Sequence, residues 1–124
     1  TAGDLSVAYS AQVGSYSKLG KLITLTCNIV TTTFTHTTAS GNLQVTGLPV
    51  AAKTLPSYQA IGAMAASGLT FTSAQISCNI ASAASLATFD STGFTGGLAK
   101  LTTANTTSGT QIHIHFTIQY ESAT

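Results

Sequence analysis

Arginine is absent from this chain and charge of either sign is scarce. Lys18, Lys21, Lys53 and Lys100 stand against Asp4, Asp90 and Glu121, a net charge of +1 over 124 residues. A nucleic-acid surface needs a basic stripe for phosphates and usually arginine forks for base edges, so nucleic acid is not expected as a partner. Glycoside hydrolysis needs a second carboxyl group a few ångströms from the first. With two of the three carboxylates near the termini, Asp90 has no such companion in the sequence. There is no Gly-x-Ser-x-Gly elbow, no phosphate-cradling glycine loop and no His-Glu-x-x-His helix. The chain is therefore expected not to be an enzyme and to need no cofactor. A run of about 18 apolar residues, the length of a membrane span, is also missing, so membrane insertion is not expected. The chain begins at Thr1 with neither a methionine nor a basic-then-apolar leader, as expected of a processed product or an excised piece of a longer protein.

Hydrophobic residues make up 44% of the chain and charged ones only 6%, which suits one domain with a single core. Long charged side chains ordinarily keep sheet edges and faces from self-association. Here Thr, Ser, Asn and Gln supply the polarity instead. Two readings follow: a small secreted or robust domain with a hydroxyl-rich exterior, or a surface largely covered by identical copies.

The most informative stretch runs from Val13 to Val50. From Ile23 the apolar residues Ile23, Leu25, Cys27 and Ile29 alternate with Thr24, Thr26 and Asn28, the period of a strand with one face in a core. Ser40-Gly41-Asn42 is turn chemistry, and Leu43 and Val45 then point inward against Gln44 and Thr46. Gly47-Leu48-Pro49 stops that strand, because proline has no N–H for a ladder.

The order of residues in this stretch resembles the C-terminal domain found on many bacteriophage tailspikes and tail fibres. It is carried by Gly14, Tyr16, Lys18, Gly20, Ile23, Ser40, Gly41, Leu43, Val45, Gly47, Leu48 and Pro49. Ser67-Gly68-Leu69-Thr70-Phe71 and the closing Gly109-Thr110 with Tyr120-Glu121 extend the likeness over nearly all of the chain after Val13. The resemblance implies a homotrimer at the distal end of a phage tail, an extracellular virion component attached to a bacterial surface polysaccharide. It also implies that residues 1–12 lead in from an upstream body and that 13–124 form the domain.

Elsewhere the pattern predicts further strands. Leu5, Val7 and Tyr9 share a phase, and Lys18-Leu19-Gly20-Lys21 reads as a hairpin turn between a short Tyr16-containing strand and the Leu22 strand. Tyr16 is expected to pack, with its hydroxyl satisfied locally. In Thr31 to Thr38, Phe34 and His36 share a face: either a solvated strand end, or an aromatic and an imidazole on a hydroxyl-rich shelf that suits sugars. Ser57 to Ser67 is alanine-rich, but Gly62 costs a helix about 1 kcal/mol, and the family likeness favours a strand. Leu69-Thr70-Phe71, Ala74 to Ile80 and Ser85 to Phe89 read as strands with Phe71, Ile76, Cys78 and Ile80 inward. Asp90 to Ala99 is the most glycine-dense loop, a flexible tip or the frame of a shallow pocket around Asp90 and Phe94.

The last strand, Gln111 to Tyr120, alternates most cleanly: Ile112, Ile114, Phe116, Ile118 and Tyr120 on one side, His113, His115, Thr117 and Gln119 on the other. It belongs in the middle of a sheet. His113 and His115 would bring six imidazoles to a trimer axis, which is metal chemistry or a polar subunit face; no metal site is assigned. Cys27 and Cys78 sit on inward phases as small buried thiols, with a bridge between them left open.

The expected fold is therefore all-β, an antiparallel β-sandwich of jelly-roll character, closing as a homotrimer. The expected function is non-enzymatic: trimerisation and attachment to a host cell-surface glycan through His36, Tyr58, Asp90 and Phe94. The competing readings are a purely structural trimer clamp of a virion protein and a monomeric, non-viral carbohydrate-binding module.

Overall fold

The computed structural model describes residues 1–56, 59–70, 75–92 and 98–124. Tyr58, Phe71 and Phe94 lie outside them. The elements are β1 (Ser6–Leu19), β2 (Leu22–Thr35), β3 (Gln44–Thr46), β4 (Gln59–Ser67), β5 (Gln75–Ala81), β6 (Leu86–Thr92), β7 (Leu98–Lys100) and β8 (His113–Glu121). A single 3-10 turn at Thr103–Asn105 is the only helical piece among the described residues. No helix there is long and apolar enough to cross a membrane.

All eight strands belong to one sheet, ordered β1-β2-β8-β4-β5-β6-β3, with β7 also paired to β6. Every ladder is antiparallel. The fold is all-β and antiparallel as expected, a single sheet curled into a half-barrel. One cleft is lined both by Gln12–Tyr16 of β1 and by Val45–Pro49, the end of β3 and the residues after it, so the two ends of the strand order face each other. No ladder joins β1 to β3 among the described residues, and the barrel stays open along that seam.

The core is the concave face. β8 sits third in the order, and its alternation is kept: Ile114, Phe116, Ile118 and Tyr120 are buried, while His113, His115, Thr117 and Gln119 face out. Each large apolar side chain buried this way contributes about 1.5–3 kcal/mol. Phe89 meets Phe116 edge to face, with ring centroids 5.7 Å apart. The Tyr120 hydroxyl donates to Val50 O at 2.8 Å, which fixes the chain after Pro49 beneath the barrel. In β2, Ile23 and Leu25 are buried, but Cys27 and Ile29 on the same face are only half-buried because they floor the open cleft.

Three strand expectations change. β1 is one strand of 14 residues rather than a short one, running unbroken through Gln12, Val13 and Gly14. The lead-in segment therefore shares the sheet with the residues after it. β6 continues to Thr92, which places Asp90 inside a strand rather than at the start of a loop. Among the described residues, the strand expected at Leu69 shows one bridge, Leu69 to Thr106. The Gly20 hairpin is as expected: Leu19 pairs with Leu22, and the positive φ of +61° falls on the first of the two loop residues, as in a type II′ turn.

A paired irregularity interrupts the β1–β2 ladder. Ala8 pairs with Thr33 but Tyr9 with Thr31, so Thr32 is an extra residue in β2; Ser10 is the compensating extra in β1. A one-residue insertion moves the inward phase to the other parity. Thr31 and Phe34 are both buried as a result. Phe34 thereby closes one end of the core and carries His36 with it.

Candidate functional site

The seam between β1 and the 40–49 segment holds two clefts in line, sharing Thr46. The first encloses about 320 Å³. Its floor is Leu25, Cys27 and Ile29. Gln12 and Tyr16 form one wall, and Leu48 and Pro49 the other. Gly14 pairs with Cys27, and the missing side chain leaves room in the wall at that rung. The second, about 370 Å³, lies toward the amino terminus between Val7 and Tyr9 on one side and Asn42, Leu43 and Gln44 on the other, with Phe34 at its base. Both volumes fall in the range of small-ligand sites.

Directly paired residues on neighbouring strands share a face. Tyr9 faces Thr31, Gln12 faces Ile29 and Tyr16 faces Leu25, so all three β1 side chains stand on the concave side. Tyr16 was expected to pack, yet it is 54% exposed and Tyr9 49%, because the curl does not close over β1. The seam thus offers two accessible aromatic faces beside the Gln12 amide, with Asn42 along the opposite rim. Flat apolar C–H surfaces stack on such rings while the rim accepts and donates hydrogen bonds.

Of the residues expected to bind a ligand, Tyr58 and Phe94 lie outside the described residues. His36 is engaged at both polar ends: its Nε2 lies 2.7 Å from Thr106 Oγ1, and its backbone N–H donates to Ser108 Oγ at 2.8 Å. Its ring stands edge to face on Phe34, centroids 5.8 Å apart, so it fastens the 106–109 segment to the end of β2. Asp90 is 2% exposed and lies 2.9 Å from Lys100 Nζ. The structure brings His36 and Asp90 into no common site. Tyr9 and Gln12 were not singled out as ligand residues and Tyr16 was expected to pack; the only signal was the phase shared by Leu5, Val7 and Tyr9, which reaches Tyr9 alone.

Several other polar groups are engaged away from the seam. Asp4 accepts from the backbone N–H groups of Thr37, Thr38 and Ala39 and from both threonine hydroxyls, and these bonds, Thr37's first, hold its carboxyl well below the usual range. Glu121 pairs with Lys53 at 2.8 Å. His113 Nε2 lies 2.8 Å from Asn28 Oδ1 on the convex face. Among the described residues no three of His, Cys, Asp and Glu come together as a metal site. Cys27 and Cys78 are both free thiols; burial raises both, Cys78 to about 11.

No family model, curated protein or solved structure matches this chain.

Proposed function

We propose that this chain is a non-enzymatic adhesion module from the tail fibre or tailspike of a phage, acting outside the cell as a homotrimer and attaching to a bacterial surface polysaccharide along the open seam. The observation that carries the reading is β1. This long edge strand shows Tyr9, Val13, Tyr16 and Leu19 at 49–83% exposure, with only Lys18 to charge it. An edge of this length with exposed apolar side chains and so little charge invites pairing with another chain unless something covers it. The jelly-roll-like sandwich is read as the two halves of the curled sheet, β1 and β2 facing β6 and β3 across the core.

The lack of an activity is supported by the carboxylates, since Asp4, Asp90 and Glu121 are each held by donors or lysines. Glycan attachment is supported by the two tyrosines and the amides beside them. The second reading is a trimer clamp without a ligand, favoured by the same exposed edge if the partner copy fills the seam.

Light scattering on the purified chain tests the assembly: three times the 12.5 kDa chain mass is expected, and a single chain mass at high concentration overturns the trimer. A bacterial glycan array on the trimer then separates adhesin from clamp. Binding to a defined polysaccharide is expected, and a blank array leaves the clamp.

A further inference from the structure

The Asn79 side chain is 1% exposed, and neither its Nδ2 nor its Oδ1 has a hydrogen-bond partner. A buried amide left unpaired gives up its hydration with nothing in return. The register shows what faces it. Asn79 pairs with Thr88 and Ser77 with Asp90 across β5–β6, and Asp90 pairs with Lys100 across β6–β7. Paired side chains leave the sheet on one face, with Cβ atoms about 4.5–5.5 Å apart.

Lys100 reaches across this face. Its Nζ lies 2.9 Å from Asp90 Oδ1 and donates to Thr88 Oγ1 at 2.9 Å. The amine is thereby carried from β7 over β6 to the residue directly facing Asn79. Asp90 Oδ1 has the Lys100 amine as its neighbour but makes no aligned hydrogen bond. An amine, a buried carboxylate and an unpaired carboxamide share one small polar patch.

We propose that Lys100 and Asn79 join in an intramolecular isopeptide bond, with Asp90 as the proton carrier. Asp90 takes a proton from the Lys100 ammonium, and the freed lone pair on Nζ adds to Asn79 Cγ while the carbonyl electron pair moves onto Oδ1. A proton from Nζ passes through Asp90 to Nδ2, the Cγ–Nδ2 bond breaks and the carbonyl re-forms. Ammonia leaves with the last proton as ammonium, restoring the Asp90 carboxylate. An ammonium and a carboxamide have become a secondary amide and an ammonium ion, with no oxidant or cofactor. The Lys100 side chain is 35% exposed, which gives ammonia a way out. The bond staples β5 to β7 across β6 and consumes the unpaired Nδ2.

Intact mass spectrometry of the purified full chain in denaturant reads the bond directly. The chain is expected to be lighter than its sequence by one ammonia. Trypsin, which cuts after lysine, is expected to skip Lys100 and release residues 54–124 as one peptide. Lys100→Arg and Asn79→Ala are each expected to show the full mass of their sequence, folded or not. A wild-type chain at full mass, cut after Lys100, overturns the proposal. So does an ammonia loss that leaves Lys100 cleavable, which marks a succinimide at Asn79 instead.

Discussion

Gly62 packs against Ile118 with no room for a side chain: a Cβ at position 62 would stand 2.7 Å from Ile118 Cβ and 2.8 Å from Cys78 Sγ, and would also meet Thr117 O. The contact holds because β4 is pinned between β8 on one side and β5 on the other. Neither neighbour can retreat without breaking a ladder. Gly62→Ala is expected to lower unfolding stability by about 1–3 kcal/mol, the usual cost of overpacking a core. Urea denaturation followed by circular dichroism measures it, and an unchanged midpoint contradicts the packing.

Thr31 and Ile112 extend the sheet past the end of the β2–β8 ladder. The Thr31 N–H donates to Ile112 O at 2.9 Å, and the Ile112 N–H donates to Thr31 Oγ1 at 2.9 Å. Thr31 is 3% exposed, so no water replaces that acceptor. Thr31→Val keeps the shape but leaves the Ile112 N–H buried and unpaired, with an expected loss of about 1–3 kcal/mol. Thr31→Ser keeps the acceptor and should lose clearly less. Equal losses in both variants would point to the methyl group instead.

These two sites show which kinds of information the residue order carries. Alternation in β2, β3, β5 and β8 was legible because side-chain period reports directly which face is apolar. It does not report whether the covering layer is a second sheet or the same sheet bent round, and so the half-barrel was not visible. The paired insertions at Thr32 and Ser10 were hidden because TTTFTHTT offers hydroxyls on both faces and no phase to lose. The Tyr16 strand read as short, whereas β1 passes straight through Gly14, which an edge strand accommodates. The glycines after Asp90 suggested that the loop began early, whereas β7 extends the pairing of β6 to Thr92. The seam was illegible for the same reason as the curl: Tyr16 and Pro49 meet there only because the sheet bends.

Asp4 closes the amino-terminal segment onto the end of β2. Thr1 adds to the clasp, its ammonium donating to Ser40 O and its carbonyl accepting from Ser40 N–H. The Asp4 carboxyl is depressed below its ordinary 3.8 in the folded chain, first by the Thr37 hydroxyl and then by backbone N–H groups. A group depressed by folding stabilises the fold above its unfolded value, and that contribution fades as pH falls from there through the folded value. Hydrogen exchange at Thr37, Thr38 and Ala39 should therefore be slow at neutral pH. At pH 7, Asp4→Ala should speed it. On acidification below 3.8 the wild type should lose protection that the variant never had, after correction for intrinsic rates. Identical corrected profiles would mean that the carboxylate does not hold the segment.

The exposed edge makes the last prediction. Val13 faces Asn28 on the convex side and is 62% exposed, and Leu19 at the hairpin tip is 83% exposed. A lysine on an edge strand opposes further strand pairing because its ammonium must stay hydrated. Val13→Lys is accordingly expected to shift the purified protein from the proposed trimer toward single chains in light scattering, with an unchanged β spectrum, since no core contact is lost. Thr92→Lys puts the same charge on an exposed position at the end of β6, away from β1, and should leave the assembly intact. If both variants stay trimeric, the chains meet through another face. If both fall apart, added charge rather than the β1 edge governs association.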